Sequence, residues 1–128
     1  MKTSSVILLL TGTATATVYK RLDFPGLNNM DPGPRLFPAN VIAGFNADYN
    51  EYNASSWAEY ILAQCRGQFN ASCDSTISYS AINSGSPPIR YWFGYVFRGG
   101  IPSKSDYQKA DQVEDTVVYV AYDKTIAH

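Results

Sequence analysis

The sequence predicts a single small α+β domain: an antiparallel β-sheet, one α-helix packed across it, and one disulfide. Three observations lead there. Ile89-Arg90-Tyr91-Trp92-Phe93-Gly94-Tyr95-Val96-Phe97 concentrates aromatic and β-branched residues, the types that fit a pleated surface. Residues 56–68 carry apolar side chains at helical spacing behind a capping signal. Cys65 and Cys73 are the only cysteines, an even count that reads as one bridge. With 128 residues there is material for one core, and 14% aromatic against 16% charged residues suits a compact domain.

Met1 to Ala16 has the layout of a secretory signal: Lys2, the apolar run Val6-Ile7-Leu8-Leu9-Leu10, then small residues ending Ala14-Thr15-Ala16. A membrane anchor needs about 20 apolar residues, so the run is too short to span. Lys20-Arg21 resembles a dibasic processing site. Residues 17–21 are therefore assigned to a short pro-segment, residues 22–128 to one secreted domain, and the mature chain is expected to begin at Thr17 or Leu22. Neither leader nor pro-segment is counted in the fold.

From Leu22 to Asn40 the chain is broken by Pro25, Gly26, Pro32, Gly33, Pro34 and Pro38, which predicts an irregular arm lying on the domain, pinned by Phe24, Leu36 and Phe37. Val41-Ile42-Ala43-Gly44-Phe45 is a first strand or the lead into a loop, and Asn46 to Asn53, polar and aromatic together, reads as exposed loop. Ser56 and Glu59 fit a capping box, with Trp57, Tyr60, Ile61 and Cys65 facing the sheet. A strand at 76–82 alternates polar and apolar residues, and Asn83-Ser84-Gly85-Ser86-Pro87-Pro88 turns it into a hairpin with the central strand, 89–97. That strand is apolar on both faces, so both should be covered. Ser103 to Asp111 reads as a helical turn or exposed loop. The strand at 113–122 is expected to pair beside the central one.

Behind a secretory leader, Cys65 and Cys73 form a disulfide that ties the helix end to the next strand. Asn53-Ala54-Ser55 and Asn70-Ala71-Ser72 are glycosylation sequons, each in an expected loop. Arg98-Gly99-Gly100 matches one unit of RNA-binding Arg-Gly-Gly repeats, but a single copy at a strand end reads as a turn. Removing Lys2, Lys20 and Arg21 leaves seven bases against eleven acids, a net −4, which argues against nucleic acid and anionic membrane as partners.

His128 is the only histidine, so general acid–base work would fall on carboxylates. Asp48 with Glu51, Asp74, Asp106 with Asp111, and Glu114 with Asp115 are the candidates by proximity. No phosphate loop, nucleophile elbow or metal-ligand cluster stands in the sequence, and no catalytic residue, metal or cofactor is assigned.

The leader with Lys20-Arg21, the cysteine pair, the two sequons, and Tyr91-Trp92-Phe93-Gly94-Tyr95-Val96-Phe97-Arg98-Gly99-Gly100 followed by Ser105-Asp106-Tyr107 together resemble the small, cysteine-poor secreted proteins of filamentous fungi, including effectors and elicitors of plant pathogens. The resemblance implies an extracellular location, a compact β-rich fold, and action through recognition of host proteins or cell-wall material. The expected function is accordingly that of a secreted, non-enzymatic interaction protein, monomeric, binding a host protein or cell-wall glycan. Tyr49, Tyr52 and Tyr107 are its expected contact residues, because tyrosine offers large area at low entropic cost. Two alternatives stand beside it: a small secreted hydrolase of RNA or glycan using paired carboxylates, and a carbohydrate-binding module stacking tyrosine rings on sugars. Two carboxylates converging within a cleft beside an arginine would favour the first, a planar row of exposed tyrosines the second, and the presence of neither would favour protein recognition.

Overall fold

A computed structural model describes residues 17–122. Among these residues, seven strands and one α-helix form an α+β domain: β1 (Tyr19–Leu22), β2 (Met30–Pro32), β3 (Val41–Asp48), α1 (Ala54–Arg66), β4 (Ser75–Ile82), β5 (Arg90–Phe97), β6 (Tyr107–Lys109) and β7 (Glu114–Ala121). Five strands make one antiparallel sheet in the order β1-β7-β4-β5-β3, while β2 and β6 pair separately.

The aromatic stretch is β5, and its alternation sorts the core. Trp92, Gly94 and Val96 face α1. Tyr91, Phe93, Tyr95 and Phe97 face the other way, toward the Pro-rich arm and the β2–β6 pair. The helix side is covered, as the sequence predicts, but the arm covers the other side only in part. The middle strand, however, is β4, not β5. The β7 strand pairs with β4, and β5 takes β3 as its second neighbour. The polar side of β4 explains the difference: Thr76, Ser78 and Ser80 are buried beneath α1, with the Ser78 and Ser80 hydroxyls directed at the β7 carbonyls of Val117 and Glu114. Side chains that read as a wet face are small polar fillers between two strands and a helix.

That choice of size sets the helix height. Ser78 stands opposite Gly94 in the register, and Ile61 descends onto Gly94 so closely that a methyl group there would collide with it. Trp57, Ala58, Ile61, Leu62 and Cys65 are the buried positions of α1, so the stripe is rotated from the expected one and Tyr60 is 37% exposed. The helix also starts earlier. Asn53 is its N-cap: Asn53 Oδ1 accepts from the Ser56 amide at 2.8 Å, and Ser56 Oγ accepts from the Asn53 amide at 2.9 Å. An Asn-x-x-Ser box therefore replaces the expected Ser56/Glu59 one.

Cys65 and Cys73 are joined, fixing the C-terminal turn of α1 to the start of β4. Residues 46–48, expected as loop, extend β3, and Tyr49–Glu51 is one 3-10 turn. On the far face, Leu27 and Leu36 of the arm pack with Ile77, Phe97, Tyr107, Val113 and Val118. A two-pronged ion pair fastens the arm: Arg35 Nε and Nη2 donate to Asp106 Oδ1 and Oδ2 at 2.7 and 3.0 Å, and Arg35 Nη1 donates to the Gly99 carbonyl. Gly99 and Gly100 both have positive φ, 99° and 91°, so the Arg-Gly-Gly segment is a turn.

The leader, residues 1–16, lies outside the described residues. Of residues 17–21, assigned to a pro-segment, Tyr19, Lys20 and Arg21 lie in the sheet, in the strand that ends at Leu22. Tyr19 is buried against the helix-side core, and β1 pairs with β7 from Tyr19 opposite Ala121 to Leu22 opposite Val118. Among the described residues, no helix is long and apolar enough to cross a membrane.

Candidate functional site

The arm covers only part of its face of the sheet. Over Phe97, Ile77 and Val118 the cover is complete; toward the other end of β5, Tyr95, Phe93 and Tyr91 remain half-buried. Because side chains two apart on one strand share a face, these three form a row, backed on one side by Tyr79 of β4, which is itself buried. Tyr79 lies 5.9 Å from Phe93 at 31° and 6.5 Å from Tyr95 at 37°. The row is flanked by Asn46, paired opposite Phe93, and by Asn83; with Tyr91 and Phe93 these line one open depression.

At the arm end the row closes into a cleft of about 310 Å³ lined by Asp31, Pro32, Pro34, Phe37, Tyr79, Tyr95 and Gln108. The fold brings each of these there for an identifiable reason. Tyr95 can lie across β3 because residue 44 has no side chain; its ring atoms occupy the place of a Cβ on Gly44. Phe37 meets Tyr95 edge-on at 4.9 Å and is 41% exposed, forming the outer wall. Asp31 and Gln108 are opposite each other on β2 and β6, and the Gln108 side chain hydrogen-bonds the Asp31 carboxyl.

Burial drives the electrostatics of this cleft. Burial pushes the Asp31 carboxyl above the ordinary carboxylate range, and the Gln108 hydrogen bond only partly offsets it. Burial also raises the Tyr79 and Tyr95 phenols, whose hydroxyls hydrogen-bond each other, with a nearby Asp31 charge adding to the shift. The two phenols therefore stay neutral. Asp31 Oδ1 is buried with no hydrogen-bond partner, a costly arrangement for a carboxylate.

The expected contact residues fall elsewhere. Tyr107 is buried, its side chain under the arm against Phe24. The reason is the β2–β6 pairing, which places Tyr107 opposite Pro32 and turns it inward while Gln108 faces out. Tyr49, 40% exposed, stacks on Trp92 at 5.0 Å, and half-buried Tyr52 packs against Trp57 and Tyr60, so both belong to the helix side. The three tyrosines do not form one surface. The sequence signal for the actual row was present in the i, i+2, i+4 spacing of Tyr91, Phe93 and Tyr95. The arm's incomplete cover had no such signal.

Asp48, Glu51 and Asp111 are exposed, and the other four candidate carboxylates are engaged separately. Asp106 is held by Arg35, which keeps its carboxyl below the ordinary range. Asp74 Oδ2 accepts from the Gly100 amide. Glu114 lies 3.6 Å from Arg90, whose Nη1 donates to Ser80 Oγ, and that hydroxyl in turn reaches Asp115 Oδ2 at 3.1 Å. This chain of contacts pins the ends of β4, β5 and β7 together. Among the described residues, no three His, Cys, Asp or Glu side chains are grouped to hold a metal ion. Both sequon asparagines are exposed: Asn53 at the helix cap and Asn70 in the turn inside the disulfide loop.

The chain matches no family model, no curated protein sequence and no solved structure.

Proposed function

We propose that this is a secreted, non-enzymatic recognition protein that acts outside the producing cell, binding a host or cell-wall component through the half-open aromatic face of Tyr79, Tyr91, Phe93 and Tyr95. The observation that carries this reading is the face itself. Large rings with few rotatable bonds, held in register by a sheet and left partly uncovered, gain contact area at little entropic cost. Support for export comes from the Cys65–Cys73 disulfide, from the signal-like opening sequence, and from two exposed sequons.

A second reading, glycan binding, draws on the same face, because the amides of Asn46 and Asn83 border the Tyr91 and Phe93 rings where sugar hydroxyls would lie. Purified protein carrying Tyr91→Ala with Phe93→Ala should lose binding to whichever of two panels retains the wild type: insoluble chitin, β-glucan, cellulose and pectin, or plant extracellular proteins. Undiminished binding by the double variant would remove the face from the mechanism. Substrate turnover abolished by Glu114→Gln or Asp115→Asn would replace recognition with hydrolysis.

A further inference from the structure

We propose that the cleft between Asp31, Phe37, Tyr79 and Tyr95 is a receptor for a single ammonium group, supplied by a lysine side chain of a protein partner; this rests on the recognition reading above and names what one end of that face takes. The walls are aromatic and apolar, with Phe37 and Tyr95 meeting edge-on and Pro32 and Pro34 beside them. Rings arranged around a small cleft attract a cation through their negative faces. Among the described residues, the ionisable groups lining it are one carboxyl and two phenols, and the phenols remain neutral.

The carboxyl is incompletely satisfied. Asp31 Oδ1 is buried without a hydrogen-bond partner, so at most the other carboxylate oxygen can face a ligand in the cleft. A guanidinium fork prefers two free carboxylate oxygens, whereas an ammonium is a point donor that needs one. A neutral sugar would occupy the rings but leave the buried charge uncompensated. The groups facing Asp31 are Gln108 from β6, Tyr79 from β4 and Tyr95 from β5, none of them cationic.

The test is an NMR titration of the folded protein with Nα-acetyl-lysine methylamide, its Nζ-trimethyl form, the arginine and norleucine counterparts, and glucosamine. Both lysine probes should shift Tyr79 and Tyr95 resonances with a dissociation constant on the order of millimolar, about tenfold tighter than norleucine. Arginine should bind more weakly than lysine. Asp31→Asn should lower lysine affinity about tenfold or more with the fold intact by circular dichroism. Wild-type affinity should fall as acid protonates Asp31. Should Asp31→Asn not fold, Tyr95→Leu is the second variant and should weaken the trimethyl probe most.

Equal binding of lysine and norleucine, or full lysine affinity in Asp31→Asn, would overturn the proposal. Tighter binding of glucosamine than of lysine would assign the cation to an amino sugar and overturn the protein source. Loss of lysine binding alongside retained partner binding that needs Tyr91 and Phe93 would sink this cleft while leaving the recognition reading standing. Lysine binding with no partner lost in the Tyr91/Phe93 variant would do the reverse.

Discussion

Gly94 lies beneath Ile61 with no room for a methyl group between them. Gly94→Ala therefore forces α1 away from the sheet or drives Ile61 off its rotamer. Overpacking of this kind costs about 1–3 kcal/mol. Urea denaturation of Gly94→Ala, Ile61→Val and the double variant should reveal coupling, the double being more stable than the sum of the singles predicts.

The Arg35–Asp106 pair makes stability sensitive to acid. The Asp106 carboxyl is held below its ordinary value, so its contribution is present above that value and is lost as pH falls through the folded one. Arg35 is well exposed, so solvent screening keeps the pair to about 1 kcal/mol. Asp106→Asn should lower the midpoint of thermal unfolding at neutral pH and converge with wild type in acid.

Asp31 works with the opposite sign. Its folded pKa is raised, so the native state binds a proton more tightly than the unfolded chain, and wild-type stability from this group rises as pH falls through the folded value. Asp31→Asn should flatten that rise and leave the protein at least as stable at neutral pH, measured by thermal unfolding across a pH series. A carboxylate kept where it opposes folding is consistent with use in binding.

Removing the covalent clasp should loosen the helix end. The loop closed by Cys65 and Cys73 is short, and the chain-entropy model assigns about 2.5 kcal/mol to it. Cys65→Ser with Cys73→Ser should show that loss in denaturant, with hydrogen exchange accelerated first in the last turn of α1.

Strand β1 bears on where the mature chain starts. A chain beginning at Leu22 loses Tyr19, buried on the helix side, and most of the pairing with β7. Burial of a side chain of this size contributes about 2 kcal/mol, so protein beginning at Thr17 should unfold at a clearly higher temperature than protein beginning at Leu22. Equal midpoints would mean that β1 adds nothing to stability.

Much of the fold was legible because period and composition coincide in β5, β7 and α1, and because the turn at residues 83–88 is rich in Gly and Pro. What stayed hidden depended on partners distant in sequence. Ser78 and Ser80 read as surface until α1 is laid over them. Tyr107 reads as loop until β6 finds β2, three residues pairing across a separation that no local pattern encodes. The cleft was illegible for the same reason: Asp31, Tyr79, Tyr95 and Gln108 come from four strands, and Asp31 stood among arm residues with nothing local to single it out. The sequons and cysteines required only local sequence.

The pairing of β1 with β7 brings Val18 and Tyr122 together, the Tyr122 amide donating to the Val18 carbonyl at 2.8 Å. A few residues of glycine and serine would bridge those positions, and the exposed bend at residues 84–87 offers a place to open new ends. A circularly permuted chain should thus fold, with its fresh termini beside Ile89 and Tyr91 and ready for a reporter dye that responds when the aromatic face is occupied.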